Sequence, residues 1–194
     1  MMDDLLNIAS YQPHVTNLGP GKRFVIWLQG CPFDCKNCMS QDWIPFEAAN
    51  LIRVDDLINA VIQTKDIEGI TLSGGEPMMQ AAMLTLFLSA VKRHRPTLTV
   101  ICFTGFKLKQ LEWNAAKQLL SQLDVLISGL YVDSLNDNKG LRGSSNQEVV
   151  FLTDKLIEHK KAFNSGPRQL EVIVANRDIF ITGMPAKGID LKEI

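Results

Sequence analysis

Net charge is almost absent from this chain. Its 20 lysines and arginines stand against 21 aspartates and glutamates, a formal value of −1 over 194 residues. A near-neutral protein has no global electrostatic hold on nucleic acid or on an anionic membrane. Long hydrophobic runs are missing too. The longest apolar stretch, residues 81–91, is interrupted by Thr85 and Ser89. That is about half of the roughly 20 residues a spanning helix needs. It ends at Lys92, Arg93, His94 and Arg95, a cationic stop suited to the negative end of a helix dipole. Met1-Met2-Asp3-Asp4 is acidic where a secretory signal would be basic. No repeat, low-complexity tract or long linker is present. With 46% hydrophobic and 21% charged residues, disorder and collagen-like structure are excluded. A chain of this length buries roughly 70% of its unfolded surface, so it needs no disulfide or metal merely to fold. We expect a soluble, cytoplasmic protein.

What is present is an alternation of strand and helix. Phe24-Val25-Ile26-Trp27-Leu28 is an unbroken apolar run ending at Gln29-Gly30, as expected of a buried strand. Residues 54–64 carry Val54, Leu57, Ile58, Val61 and Ile62 at helical spacing, with Asp55 and Asp56 in the first turn. Further strands are expected at 70–73, 98–103 and 124–128, and helices at 78–93 and 107–123. Residues 133–147 read as a polar loop, and 149–163 as a last helix. Beyond the breaker Ser165-Gly166-Pro167, residues 170–174 and 179–182 read as a β-hairpin around Asn176-Arg177-Asp178. Such alternation implies βαβ units and a parallel sheet covered by helices. Ligands then bind at the C-terminal edge of the strands. The turns Gln29-Gly30-Cys31 and Ser73-Gly74-Gly75-Glu76-Pro77 both fall on that edge.

Only four cysteines occur, and three of them lie within eight residues: Cys31, Cys35 and Cys38, spaced C-x3-C-x2-C. In a cytoplasmic chain such clustering points to a metal site rather than to disulfides. Three thiolates on one loop suit three corners of a [4Fe–4S] cluster and leave the fourth iron open. Structural zinc normally takes four protein ligands, commonly as two pairs, and no second pair exists here. His14, His94 and Cys102 are isolated, and Cys102 sits in an apolar strand, as a core thiol would. Three unconnected core cysteines are disfavoured by the polar neighbours Asp34, Lys36 and Asn37.

C-x3-C-x2-C after one strand and Gly-Gly-Glu-Pro after the next resemble the radical S-adenosylmethionine enzymes. Gly19-Pro20-Gly21-Lys22-Arg23 is similar to the opening of the glycyl-radical-enzyme activases within that family. Cys38-Met39-Ser40-Gln41-Asp42-Trp43, Thr104-Gly105-Phe106-Lys107-Leu108, 124–129 and Arg142-Gly143-Ser144-Ser145-Asn146-Gln147 extend the likeness to the activases of anaerobic (class III) ribonucleotide reductase. It covers roughly residues 10–155.

The resemblance implies a [4Fe–4S] cluster held by Cys31, Cys35 and Cys38, with S-adenosylmethionine chelated at the open iron. Reductive cleavage gives methionine and a 5′-deoxyadenosyl radical, which takes hydrogen from a glycine of the partner. It also implies that Asn37, Cys38 and Met39 lie beside the adenine and that Gly74 and Gly75 meet the methionine end. No catalytic side chain beyond these is implied. Two positions depart from the pattern. Asn37 and Met39 flank the third cysteine where many members have an aromatic residue, and Ser128 stands where activases often carry Asp. The implied partners are a glycyl radical enzyme, foremost the anaerobic reductase, and an electron donor such as flavodoxin or ferredoxin.

The expected fold is therefore α/β, an incomplete parallel (β/α) barrel with a C-terminal β-hairpin addition. It divides into residues 1–165, the cluster-bearing domain, and 166–194, an extension of the same domain. The hairpin lies beyond the activase-like part, so its loss is expected to spare the cofactor site. Two rival functions stay open. One is a maturase acting on another protein or peptide, which the added β edge would suit. The other is a non-catalytic iron–sulfur or zinc protein.

Overall fold

Four unbroken apolar runs become the centre of one sheet. The computed structural model describes residues 4–175 and 178–186. Its strands are β1 (Leu5–Val15), β2 (Arg23–Leu28), β3 (Asn50–Arg53), β4 (Gly69–Gly74), β5 (Thr99–Thr104), β6 (Val125–Ser128), β7 (Glu148–Phe151), β8 (Leu170–Ala175) and β9 (Asp178–Gly183). The α-helices are α1 (Val54–Gln63), α2 (Ala81–His94), α3 (Asn114–Leu120) and α4 (Lys160–Ser165). Among the described residues no helix is long and apolar enough to cross a membrane.

The sheet runs β3-β1-β2-β4-β5-β6-β7, with β3 and β7 as its edges. The inner strands β2, β4, β5 and β6 are parallel, as the βαβ alternation requires. The outer pairings are antiparallel, which corrects the expectation of a wholly parallel sheet. β7 also replaces the first part of the helix expected at 149–163. Val149, Val150 and Phe151 favour a strand, and they pair residue for residue with Ile127, Leu126 and Val125. Helical turns resume only as a 3-10 segment, Asp154–His159, leading into α4. The helix expected at 107–123 likewise shrinks. Trp113 is extended (φ −74°, ψ 153°) and separates a 3-10 turn, Leu108–Gln110, from α3.

Successive strand residues point to opposite faces, so each face builds its own core. Phe24, Ile26, Leu28, Ile70, Leu72, Val100 and Leu126 pack under α1, α2 and α3, against Leu57, Leu84, Phe87 and Leu88. On the other face, Ile101, Val125 and Ile127 meet Leu156 and Phe163. There, too, Val25 and Trp27 meet Val15, Leu18, Trp43 and Ile173. Arg23 is fully buried at the start of β2. Its Nε donates to Thr71 Oγ1 (2.6 Å), and its terminal nitrogens donate to Ile70 O, Thr99 O, Thr99 Oγ1 and Pro20 O. The arginine of the Gly-Pro-Gly-Lys-Arg stretch thus ties β2, β4 and β5 together. Burial lowers its pKa to about 9.

β8 and β9 form the expected hairpin. Of its expected tip, Asn176 and Arg177 lie outside the described residues, as does the extension beyond Ala186. Only one face is covered. Ile173 joins the core and Thr182 is buried. Asn17 Nδ2 donates to Thr182 O and Gln169 O, and Thr182 Oγ1 donates to Asn17 Oδ1. Glu171 accepts from the N–H and hydroxyl of Thr16. Val172, Val174 and Ile179 face solvent.

Candidate functional site

The three clustered cysteines lie on the loop leaving β2, all half-buried and unpaired. The loop is pinned at both ends. Gly30 N–H donates to Trp43 O and Cys31 N–H to Ile44 O, while Trp43 packs its ring against Trp27. Trp43 therefore has a packing role. Between the pins, Asn37 adopts a left-handed conformation (φ 57°), which Asn tolerates better than most residues. Asn37 and Met39 are exposed beside half-buried Cys38.

Each cysteine sulfur has a backbone N–H directed at it: Phe33 at Cys31, Tyr131 at Cys35 and Ser40 at Cys38. The Tyr131 amide comes from the turn after β6, so two separate loops meet at Cys35. Burial pushes the Cys31 thiol up to about 11, and charges on Glu76, Cys38 and Cys35 add to the effect. Burial also raises Cys35 and Cys38. Thiols so placed resist carrying charge alone and gain from soft cationic metal. Among the described residues, no three Cys, His, Asp or Glu side chains form a site for a single metal ion.

Gly74 and Gly75 lie beside the cysteine loop. Gly75 N–H donates to Leu28 O (2.7 Å) and Glu76 N–H to Gly30 O (2.8 Å). A Cβ on Gly75 would run into the carbonyl of Gly30. Gly74 has φ +96°, and a Cβ there would meet the Leu28 backbone at 2.5 Å. Close backbone packing between two loops thus requires these glycines. The consequence is measurable: Gly75→Val should displace Gly30 and the start of the cysteine loop. Iron uptake on anaerobic reconstitution should fall several-fold, and full uptake would show that the loop yields.

The carboxylate of the same turn was passed over by the sequence reading. Glu76 is buried, and its oxygens accept from Met78 N–H, Thr104 Oγ1 and Gly105 N–H at 2.8–2.9 Å. It therefore locks the turn after β4 to the turn after β5. Gly105 in turn packs under Phe33 of the cysteine loop. The only signal available in the sequence was an acidic residue between Gly75 and Pro77. Its partners on the neighbouring turn lie 28 and 29 positions away, beyond any local pattern.

Burial raises the Glu76 pKa to about 7, against hydrogen bonds that lower it. A carboxyl raised in the folded state stabilises most below its ordinary pKa of 4.5 and loses that contribution as pH climbs through 7. Glu76→Gln removes this dependence. Wild type should lose roughly 3 kcal/mol more than the variant between pH 4 and pH 8 in urea unfolding of the iron-free protein. Parallel pH profiles would reject the assignment.

The remaining residues singled out in the sequence lie elsewhere. Cys102 is fully buried in the helix-side core. His14 Nε2 is bonded to Lys65 O, His94 is exposed, and His159 sits 3.5 Å from Glu158. Ser128 is buried, its hydroxyl directed at Glu148 O. The segment 142–147 folds back onto the turn after β6.

Comparison with known proteins agrees with this arrangement. A family model described as a 4Fe-4S single cluster domain matches residues 17–150. Among solved structures, QueE from Escherichia coli is 15% identical, with a TM-score of 0.44 over 64% of this chain and 70% of that one, too remote to bear on the assignment. The anaerobic ribonucleoside-triphosphate reductase-activating protein of Haemophilus influenzae is 33% identical over 151 residues, 74% of this chain and 97% of its own length. The protein of that name from Escherichia coli K12 is 32% identical over 76% of this chain and 99% of its own. The one from Enterobacteria phage T4 is 30% identical over 73% and 91%. With this identity over nearly the whole of those relatives, and with its cysteine loop inside the matched region, the chain belongs to the family of anaerobic ribonucleoside-triphosphate reductase-activating proteins.

Proposed function

We propose that this protein is a radical S-adenosylmethionine activase that generates a glycyl radical on an anaerobic ribonucleotide reductase. The observation that carries the reading is the meeting of the three-cysteine loop with the Gly-Gly-Glu turn at one strand edge, in a chain of the reductase-activating family. Cys31, Cys35 and Cys38 hold a [4Fe–4S] cluster. Each thiolate binds a separate iron, so the three sulfurs need not converge on one point. When bound, the cluster and S-adenosylmethionine supply one electron and a 5′-deoxyadenosyl radical, chemistry that belongs to the cofactors.

The protein's own residues place these groups. The amides of Phe33, Tyr131 and Ser40 offset charge at the three sulfurs. Gly74 and Gly75 let this turn close against β2 and the cysteine loop, and the methionine end of the cofactor lies at that turn. Asn37, Cys38 and Met39 lie beside the adenine. Glu76 keeps the two neighbouring turns at a fixed distance. We read the sheet as part of an incomplete (β/α) barrel whose open side admits a large protein. Residues 1–165 carry the chemistry, with 166–194 as an extension of the same domain. A flavodoxin or ferredoxin in the cytoplasm fits as electron donor.

The test is anaerobic. The reconstituted protein is reduced with S-adenosylmethionine and an anaerobic ribonucleotide reductase. Methionine, 5′-deoxyadenosine and the reductase's glycyl radical are then measured, the last by EPR. All three should appear together. Cofactor cleavage without a radical on the reductase would favour a maturase of another protein, and absence of cleavage would reject both readings.

A further inference from the structure

The Arg-Gly-Ser-Ser-Asn-Gln segment has no role in the chemistry above, yet it holds one peptide with several hydrogen bonds. Gln147 Nε2 donates to Gly129 O (2.7 Å), Asn146 Nδ2 donates to Leu130 O (2.8 Å), and Ser144 Oγ accepts from Val132 N–H (3.1 Å). Gly129 N–H is itself held by Thr104 O and Phe106 O. Leu130, Tyr131 and Val132 of this stretch line one cavity with Cys35 of the cysteine loop, and the Tyr131 amide opposes the rise of the Cys35 pKa.

The segment is itself secured. Gln147 Oε1 accepts from the N–H groups of Gly143 and Ser144. Arg142 pairs with Asp137 at 2.7 Å. Arg168, just before β8, donates to the carbonyls of Arg142 and Gly143. Ser144 is fully buried, and Gly143 leaves room for the Tyr131 ring, which a Cβ would meet at 2.9 Å. Such a set of bonds to one irregular peptide fixes its position as a regular element would.

We propose that Ser144, Asn146 and Gln147 are positioning residues that brace the 129–132 peptide against Cys35 and so set the reduction potential of the cluster. An N–H directed at a cluster sulfur stabilises the added negative charge of the reduced state and raises the potential. Losing the brace therefore makes the cluster harder to reduce. The proposal rests on the functional reading above, because it assumes that Cys35 is a cluster ligand.

Two measurements test it. The first is amide hydrogen exchange across 129–132 in the iron-free protein. The second is the cluster's midpoint potential after reconstitution, with iron content determined alongside. Ser144→Ala and Gln147→Ala should exchange about fivefold faster at 129–132, the ratio expected from losing roughly one hydrogen bond. Both should keep their iron but show a more negative potential. Ser144→Thr, which retains the hydroxyl, should restore both values. Asn146→Ala, at an exposed position, disturbs the fold least and should move both readouts in the same directions. Unchanged exchange, or faster exchange with an unchanged potential, would overturn the proposal, and so would loss of iron at normal exchange. A wild-type chain that takes up no iron would defeat the functional reading instead, while the exchange measurement would still report on the brace.

Discussion

Alanine at Cys31, Cys35 or Cys38 should abolish iron binding, while alanine at Cys102 should leave about four irons and four sulfides per chain. The contrast follows from placement. The three loop thiols are half-buried at one strand edge, each with an amide directed at its sulfur. Cys102 is fully buried among Leu72, Leu126 and the helices, where no cluster fits without emptying the core. Iron and sulfide assays with the visible absorption of the reconstituted protein decide the matter. Full iron in any loop variant, or its loss in Cys102→Ala with the fold intact, would contradict the assignment. One zinc per chain with no iron uptake would contradict it more deeply.

Truncation after Ser165 should cost the protein much of its stability, although the cofactor site lies in the part that remains. Ile173 packs with Val15, Leu18, Val25 and Trp27, and Asn17 is bonded to both ends of the hairpin. Arg168 is lost as well, with its bonds to Arg142 and Gly143. Each hydrogen bond contributes about 1 kcal/mol, and the partly buried Ile173 adds a share of the roughly 1.5–3 kcal/mol of a fully buried apolar side chain. Several such losses are large against a typical total of about 5–15 kcal/mol. Urea unfolding of the iron-free truncated chain should show a clearly lower midpoint or no cooperative transition. Point variants separate the two faces. Ile173→Asn should destabilise, whereas Val174→Thr should be nearly neutral, since Val174 is 72% exposed. A truncated chain as stable as the full one would show that the hairpin merely rests on the sheet.

The parts of the fold that were legible in the sequence are those where one local pattern decides the outcome. β2, β4, β5 and β6 are short apolar runs stopped by glycine or a polar turn, so their existence and order were clear. β1 was missed because only its first half reads as a strand. Leu6 and Ile8 are buried, but Gln12-Pro13-His14 follows, and the pairing with β2 shifts register there. The sequence at β7 suits either helix or strand, and pairing with β6 decides it. The hairpin was found, but which of its faces turns inward is set by its contacts: Val172, Val174 and Ile179 point outward, and Ile173 and Thr182 point in. The site was legible as far as motifs reach. Cysteine spacing and the Gly-Gly turn stand out in one dimension. Glu76 and the 142–147 brace act through bonds to backbone groups in other loops, which leave no periodicity to read.

The contact between Trp27 and Trp43 supplies the protein with an internal optical probe. These are two of its three tryptophans, their rings 5.9 Å apart and tilted by 48°. One belongs to the sheet and the other to the far end of the cysteine loop. Any rearrangement of that loop changes the surroundings of both indoles at once. Trp113 meets Phe106 edge-on, and Phe106 in turn meets Phe33 of the cysteine loop, so the third indole stands one ring further from the same loop. Ultraviolet emission from the unlabelled chain should therefore follow loop ordering during cluster assembly in real time, without a dye or an engineered reporter.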